Sequence, residues 1–277
     1  RDGLFEGPGG SDLMIPRVPL QALWPEPTER WLRMNGAQLH LRHRVESLVR
    51  VTGASGSASE STGAGAGADM GWAVDGQAFD GVILACSATE AARLATPHSA
   101  PWAEAARALE FEPIVTCYVR SEGTRLAAPM LALPQRRGDE RGHDRGHQRG
   151  HQNEPLPAPA QFVFDLGQLG HPGAPLIAFV ASAAGRWLDQ GLTTLEAAIL
   201  EQAANTPGLV WAQAPQVVRS VAERRATFLC KAGMRRPAQR IADHLVAAAD
   251  YVEGPYPSTL EGAMRSGVAA AQHFRCA

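Results

Sequence analysis

A single stretch, "AADYVEGPYPSTLEGAMRSG" (residues 248–267), joins an apolar run to a helix start through a turn rich in proline and glycine. The apolar run predicts a buried strand, and Asp250 follows at its carboxyl end, where open α/β sheets bind ligands. Ser258 and Glu261 match a capping box, which predicts a helix that starts at Thr259. The N–H groups of its first turn would face the same ligand. The stretch therefore indicates a binding site; a helix that only packs through small residues is the alternative.

Four small residues would keep the first turns of this helix thin: Gly262, Ala263, Ser266 and Gly267. A flat ring could then lie close to the helix, while the Asp250 carboxylate accepts hydrogen bonds from ligand hydroxyls such as those of a ribityl chain. The positive end of the helix would stabilise the negative charge of a reduced flavin.

Composition limits the class of protein. A chain of 277 residues that is 45% hydrophobic can bury one large core or two modest ones. The 26 basic and 28 acidic side chains nearly balance, so nothing in the charge favours nucleic acid. The four cysteines are scattered without a C-x-x-C pair, which predicts a reduced, cytoplasmic protein without disulfides or zinc. No apolar run approaches the roughly 20 residues that span a bilayer.

The first part of the chain predicts an α/β unit. Residues 27–35 are typical of a short helix that ends at Gly36, and residues 38–51 alternate like a half-buried strand. The glycine-rich tract at 53–71 would connect a hairpin. Residues 82–85 form a short apolar run that predicts a buried strand. Ser87 and Glu90 then match a capping box for the next helix.

The middle of the chain predicts consecutive strands with few helices between them, which favours an antiparallel sheet and a second subdomain. A capping box of Thr193 and Glu196 predicts one helix over residues 194–204. The predicted strands cover residues 113–120, 129–134, 161–165, 176–183 and 216–223.

The repeat "RGDERGHDRGHQRGHQ" (residues 137–152) places His143, His147 and His151 four residues apart. On a helix they could bind a transition metal. A glycine recurs in every tetrad, however, and each costs a helix about 1 kcal/mol relative to alanine. We therefore expect a disordered repeat in a surface loop and no functional metal site.

A dinucleotide-binding glycine fingerprint is absent from the sequence. Gly63, Gly65 and Gly67 come nearest to G-x-G-x-x-G, but residue 68 is alanine and no strand is predicted before them. Because the chain also starts at Arg1 in the middle of a pattern, we expect it to be a piece of a longer protein. That piece alone would bind a dinucleotide weakly.

Three stretches carry a resemblance to a known group. Residues 248–267 resemble the carboxyl-terminal flavin motif of the phytoene desaturase and amine oxidase superfamily. Residues 13–45, beginning "LMIPRVPLQALWPEP", and "ERRATF" (residues 223–228) resemble the squalene-associated FAD-dependent desaturases, also described as hydroxysqualene dehydroxylases. Two departures stand out: Ala249 replaces the usual glycine, and the amino-terminal βαβ unit is missing.

The resemblance implies an α/β fold in which a partial, Rossmann-like FAD-binding domain carries an inserted antiparallel-sheet substrate subdomain. Residues 1–97 and 229–277 would form the FAD-binding part, with the hairpin and glycine-rich insert at 53–71. Residues 98–228 would form the substrate subdomain, with the repeat at 136–153.

The resemblance also implies site residues for FAD. Asp250 would bind the ribityl or pyrophosphate region, and Val45, at a strand end, would meet the adenine through its main chain. The other expected contacts are main-chain atoms of Thr259, Leu260 and Glu261 at the ring and the residues Cys86 and Ser87 along the cleft. For the last two, a buried small residue and a plain helix cap are equal alternatives.

The implied reaction is reductive removal of the hydroxyl of hydroxysqualene, giving squalene for hopanoid synthesis. An allylic alcohol can ionise to a delocalised cation that takes up hydride, provided that water is excluded and the hydroxyl receives a proton. Tyr256, Glu253 and Arg225 are candidates for catalytic groups, although surface ion pairing explains Arg225 equally well. The expected tunnel lining comprises Phe162, Phe164, Phe179, Trp187 and Phe228.

Two other functions stay open: a flavin amine or porphyrinogen oxidase, and a non-catalytic fragment unable to hold FAD. The expected partner is a small isoprenoid substrate, with peripheral contact to a membrane as a further expectation. The sequence does not predict the oligomeric state.

Overall fold

The computed structural model describes residues 12, 14–52, 70–134, 156–171, 176–206 and 208–274. Nearly all of the glycine-rich tract and the whole histidine repeat, including His143, His147 and His151, lie outside the described residues. The predictions for those two segments therefore stay predictions.

The chain divides into two compact units. The first combines Arg1–His40 with Glu112–Ala226, and the second combines Leu41–Phe111 with Thr227–Ala277. The segment before His40, which the sequence analysis assigned to the FAD-binding part, thus groups with the antiparallel sheet.

The second unit begins with an antiparallel meander of β1 (Leu48–Thr52), β2 (Met70–Val74) and β3 (Gln77–Phe79). Asp75 and Gly76 connect β2 to β3 with φ of 47° and 86°, the left-handed backbone that tight hairpin turns need. The strand predicted over residues 38–51 is wrong before Leu48. Arg42 has a φ of 58°, which interrupts an extended chain, and Val45 precedes β1 rather than ending a strand.

A second sheet in the same unit has the order β10–β11–β4, with β10 at Arg240–Ala242, β11 at Leu245–Ala247 and β4 at Val82–Leu84. β11 and β4 run parallel, which confirms the strand predicted at residues 82–85 but not its burial, because Ile83 is 39% exposed. The helices of this unit are α3 (Ala88–Ala95), α4 (Ala100–Arg107) and α7 (Leu260–His273). Alanines of α3 and α4 are fully buried in the core with Leu245.

The first unit contains a five-stranded sheet of order β6–β7–β8–β5–β9, in which the pairs β6–β7, β7–β8 and β5–β8 are antiparallel. Every predicted strand of this region is present. The strands are β5 (Phe111–Arg120), β6 (Met130–Ala132), β7 (Phe162–Asp165), β8 (Leu176–Ala181) and β9 (Gln216–Phe228), and the helices are α1 (Leu20–Leu23), α2 (Pro25–Met34), α5 (Gly185–Asp189) and α6 (Leu192–Ala204).

The α/β fold class with antiparallel sheets is confirmed, whereas one helix start is not. α6 begins at Leu192 with Gly191 as its N-cap, so the predicted capping box of Thr193 and Glu196 is wrong. Gly191 has a φ of 95°, which a glycine adopts easily and which lets the chain enter the helix two residues earlier.

No helix in the described ranges is long and apolar enough to cross a membrane. Among those same residues, no group of histidine, cysteine and acidic side chains could hold a metal ion.

Candidate functional site

The candidate site lies in the second unit, where the parallel strands β4 and β11 end at the same edge. Ala248 N–H donates to the carbonyl of Leu84 at 3.0 Å, which extends the ladder by one residue. The Tyr251 hydroxyl donates to the carbonyl of Cys86 at 3.1 Å. These two bonds join the segment that carries Asp250 to the end of β4 at the carboxyl edge, where the parallel arrangement predicts a ligand.

Helix α7 is attached to the same edge through Ser266. Its Oγ accepts the N–H of Ala249 at 3.1 Å, and its carbonyl accepts Nε2 of Gln239 at 2.8 Å. The end of β11 and the helix are therefore fixed to each other by polar contacts as well as by packing.

The N-cap of α7 is Thr259, so the capping box predicted at Ser258 is wrong. Thr259 has extended backbone (φ −131°), and its Oγ1 accepts the N–H of Gly262 at 3.0 Å. Ser258 has a φ of 56° and donates its hydroxyl to the carbonyl of Phe228 at 3.0 Å. A serine followed by a threonine offers two possible caps, and only the second has the backbone that a cap requires.

This cap leaves two donors at the start of the helix. The N–H groups of Leu260 and Glu261 belong to the first turn and have no intrahelical acceptor. Leu260 is 80% exposed, so ligand atoms can reach this turn. The Glu261 carboxylate pairs with Arg265 at 2.5 Å instead of capping the helix.

The turn between β11 and α7 explains why residue 262 is a glycine. A Cβ on Gly262 would lie 2.2 Å from the carbonyl oxygen of Tyr256, whereas a Cβ on Gly267 would meet nothing within 4 Å. Gly262 is therefore required by the protein's own turn. The Arg236 guanidinium stabilises this turn by donating to the carbonyls of Val252, at 2.8 Å, and Gly254.

Asp250 is half-buried, and burial raises the pKa of its carboxyl. The main-chain N–H groups of Asp250 and Tyr251 and the charge of Arg236 oppose this effect only in part. A carboxylate has about four acceptor positions, so this one can still accept ligand hydroxyls. A desolvated carboxylate that gains such donors fits a ligand that carries hydroxyl groups.

Cys86 and Ser87 follow β4, as the sequence predicts. Burial, with a contribution from Glu90, raises the pKa of the Cys86 thiol, so it is a poor nucleophile at neutral pH. Ser87 is the N-cap of α3, and its Oγ accepts the N–H of Glu90 at 3.5 Å. This bond confirms the part of the predicted capping box in which the serine accepts a main-chain N–H. The carbonyl of Val45 accepts Nη2 of Arg93 at 2.6 Å, which fixes the Val45 main chain to α3.

The three candidates for catalytic groups are all exposed. Tyr256 lies in the turn with the Arg265 guanidinium 5.1 Å from its ring centre, and Glu253 donates its N–H to the carbonyl of Pro237. Arg225 lies on β9 in the first unit, with its N–H bonded to Glu223 at 2.9 Å. An exposed group is poorly suited to protonate an apolar substrate away from water, so none of them is assigned to proton transfer.

Three residues build the site through contacts that the sequence does not predict: Tyr251, Arg236, and Ser266, which was expected only as a small residue. Two of these had a signal, because Tyr251 follows the acid directly and Ser266 lies among the small residues of the helix. Arg236 lies 14 residues before Asp250 in a stretch without a motif, so only the folded chain shows its role.

Comparison with known proteins gives the class. The family model described as flavin containing amine oxidoreductase matches residues 4–274. An oxidoreductase from Methanosarcina mazei has a similar solved structure, with a TM-score of 0.52 and 13% identity over 89% of this chain. This chain spans 53% of that protein's length. No curated protein sequence matches it. The chain belongs to the flavin containing amine oxidoreductase family and uses a flavin cofactor.

Proposed function

We propose that this flavin oxidoreductase binds FAD at Asp250 and the first turn of α7, and acts on a polyprenoid by reductive dehydroxylation of hydroxysqualene to squalene. Family membership supports the flavin. The resemblance of residues 13–45 and 223–228 to the squalene-associated enzymes supports the substrate. The observation that carries the substrate class is an apolar sheet face in the first unit.

The cofactor part of the proposal rests on complementary charge. Asp250 accepts hydroxyls of the ribityl chain, as its half-buried carboxylate allows. The N–H groups of Leu260 and Glu261 meet the ring, where the positive end of α7 stabilises the negative charge of the reduced form. The predicted roles of Cys86, Ser87 and Val45 are part of this proposal.

The open face of the five-stranded sheet carries a group of aromatic and aliphatic side chains, with Thr116 and Arg120 of β5 beside them. In the register, Met130 pairs with Phe164, and both Phe164 and Tyr118 pair with Ala178, so these side chains share one face. Met130, Phe164 and Tyr118 are half-buried, Ala178 is buried beneath them, and Phe162 on the same face is 38% exposed. A face of aromatic and aliphatic groups suits a hydrocarbon.

The register also corrects the expected tunnel lining. Phe179 is fully buried in the core on the opposite face with Leu195, and Trp187 packs against that core. Phe228 is buried in the core of the second unit. Of the five aromatic residues expected, only Phe162 and Phe164 lie on the open sheet face.

The proposed reaction balances with one proton and one hydride. The carbon–oxygen bond breaks, the hydroxyl leaves as water with the added proton, and the allylic cation gains the hydride. A reduced flavin, when bound, supplies that hydride and becomes oxidised. The contribution of the chain is an apolar face that keeps water from the cation.

A second function, oxidation of an amine, is favoured by the name of the matching family model. The two differ in direction: amine oxidation reduces the flavin, which oxygen then reoxidises to give hydrogen peroxide, whereas dehydroxylation consumes reduced flavin.

The experiment is an anaerobic incubation of the protein that carries residues 1–277 with reduced FAD and hydroxysqualene, followed by mass spectrometry. Squalene and oxidised flavin in equal amounts support the proposal. Peroxide production from amines in air, without squalene under anaerobic conditions, would establish the second function. Absence of both would favour a non-catalytic flavoprotein.

A further inference from the structure

The α1–α2 hairpin in the first unit presents apolar side chains to solvent. No side chain of either helix is buried, and Trp24 and Trp31 are 56% and 62% exposed. Leu20, Leu23 and Met34 are each more than half exposed as well. A contiguous apolar patch of this kind is uncommon on a soluble monomer and marks an interaction surface.

The apolar and charged residues of α2 lie on different sides of the helix. Trp24, Pro27, Trp31 and Met34 follow one another at intervals of three or four residues, which places them on one face. The charged residues Glu26, Glu29, Arg30 and Arg33 lie on the other face. The helix is therefore amphipathic, but its apolar face is not used by the core.

A shallow cavity of about 370 Å³ lies between the two helices. Its lining consists of Leu23, Trp24, Pro27, Thr28 and Trp31, so Thr28 provides the only side-chain hydroxyl. Such a cavity suits hydrocarbon. It offers few hydrogen bonds for the polar rim that a folded protein partner would bring.

From Arg17 to Met34 the chain carries three arginines and two glutamates, a net charge of +1, although the whole chain carries −2. Arg33 bonds to Glu29 at 2.9 Å, and Glu26 accepts Nε2 of Gln21 at 3.0 Å, so both acids have partners on the hairpin. Within the part of the chain that the structure describes, Arg17 and Arg30 have no carboxylate at ion-pair distance. These two guanidinium groups remain able to bind phosphate.

The hairpin is attached to the first unit at its start. The carbonyl oxygen of Arg17 lies so close to Gly170 that a Cβ there would come within 2.2 Å of it. Gly170 also has a φ of 71°, which favours glycine. The chain just before α1 is therefore packed closely against Gly170 of the first unit.

We propose that the α1–α2 hairpin is a membrane-interface surface that lies in the plane of an anionic bilayer. Trp24 and Trp31 sit at the level of the headgroups, where tryptophan concentrates. Leu20, Leu23 and the cavity meet acyl chains, while Arg17 and Arg30 bind lipid phosphates. An in-plane helix needs no spanning segment. This inference does not depend on the proposed reaction.

The experiment is flotation of the purified chain with vesicles of phosphatidylcholine, alone or mixed with phosphatidylglycerol. We expect binding to the mixed vesicles, weaker binding to phosphatidylcholine alone, and a blue shift of tryptophan emission. The double variant Trp24→Ser/Trp31→Ser should lose binding by about tenfold or more, and Arg17→Gln/Arg30→Gln should lose the preference for anionic vesicles.

The matched control is Val210→Ser, which removes a 78% exposed apolar side chain elsewhere in the same unit. It should bind vesicles like the unaltered chain, and circular dichroism should show that all variants are folded. Absence of binding to mixed vesicles would overturn the proposal, as would unchanged binding by the tryptophan variant. A dimer that the tryptophan variant dissociates, without vesicle binding, would identify the hairpin as a protein interface instead.

Discussion

At the scale of single residues, Asp250 combines partial burial with a position at the carboxyl edge of a parallel strand pair. Its carboxyl pKa is raised because burial disfavours the charged form. The cost of holding that charge is offset when a ligand donates hydrogen bonds to it, so the residue is better suited to a cofactor than to the empty fold.

We predict that Asp250→Asn weakens FAD binding by about 1.5–3 kcal/mol, the range for a hydrogen bond to a charged group. The stability of the cofactor-free protein should not fall, because the amide removes a partly buried charge. Flavin titration and thermal melting measure the two effects. Asp80→Asn is the control, since Asp80 is an exposed acid of the same unit. Unchanged flavin affinity, or a lower melting temperature without flavin, would refute the role of Asp250.

Thr259 permits a second test at this scale. Thr259→Ala should lower the free energy of unfolding by about 1 kcal/mol because the N–H of Gly262 loses its acceptor. Thr259→Ser keeps an oxygen at the cap and should restore most of that loss. Urea unfolding measures both, and equal stability of the alanine and serine variants would show that the cap contributes nothing.

The residues of the site were predictable only in part. The positions of Asp250 after β11 and of Ser87 before α3 were predictable, because a carboxylate after an apolar run and a serine three residues before a glutamate are local signals. The cap at Thr259 was missed because Ser258 and Thr259 both carry a hydroxyl that can cap a helix. Only their backbone angles, which the sequence does not show, distinguish them. Arg236 was missed because its contacts are distant along the chain.

At the scale of elements, the turn before α7 determines how close the helix comes to β11. Gly262→Ala places a methyl group against the Tyr256 carbonyl and should cost about 1–3 kcal/mol through overpacking. Gly267→Ala meets open space and should be neutral or stabilise the helix by up to about 1 kcal/mol. Thermal melting of the pair tests this, and equal effects of the two substitutions would contradict it.

Asp75, in the β2–β3 turn of the second unit, should make the stability of the fold depend on pH. The N–H of Ser47 and the ring of His43 bond to the Asp75 carboxylate and lower its pKa from 3.8 to about 2. An acid with a lowered pKa stabilises the fold above pH 3.8 and loses this contribution as the pH falls through about 2. Urea midpoints over this range should fall less steeply in Asp75→Asn. Parallel curves for the two proteins would show that Asp75 is not responsible.

Elements were predicted best where apolar runs are short and bounded by turns. All five strands of the antiparallel sheet were anticipated for this reason. Residues 38–47 failed because their alternation imitates a strand, yet the chain turns at Arg42 and gives the N–H groups of Glu46 and Ser47 to Asp75. The main-chain N–H groups of these residues bond to a side chain instead of to a neighbouring strand. The pattern of apolar residues does not reveal such bonds.

At the scale of the whole molecule, each unit is assembled from two separate segments of the chain. In the second unit, the segment Thr227–Ala277 packs with the segment Leu41–Phe111, and the pairing of β11 with β4 joins them. The candidate cofactor residues Cys86 and Asp250 come from these two segments, so the site depends on a long-range contact. The family match over residues 4–274 covers both units.

The most direct test of the cofactor site is residue-resolved amide NMR of the ¹⁵N-labelled chain during titration with FAD, which detects weak as well as tight binding. We expect saturable shifts at Cys86, Asp250, Leu260 and Glu261, with much smaller shifts in the five-stranded sheet. The same shifts should be lost in Asp250→Asn. Shifts that avoid these four amides, or that persist unchanged in the variant, would contradict the assignment of the flavin to this edge.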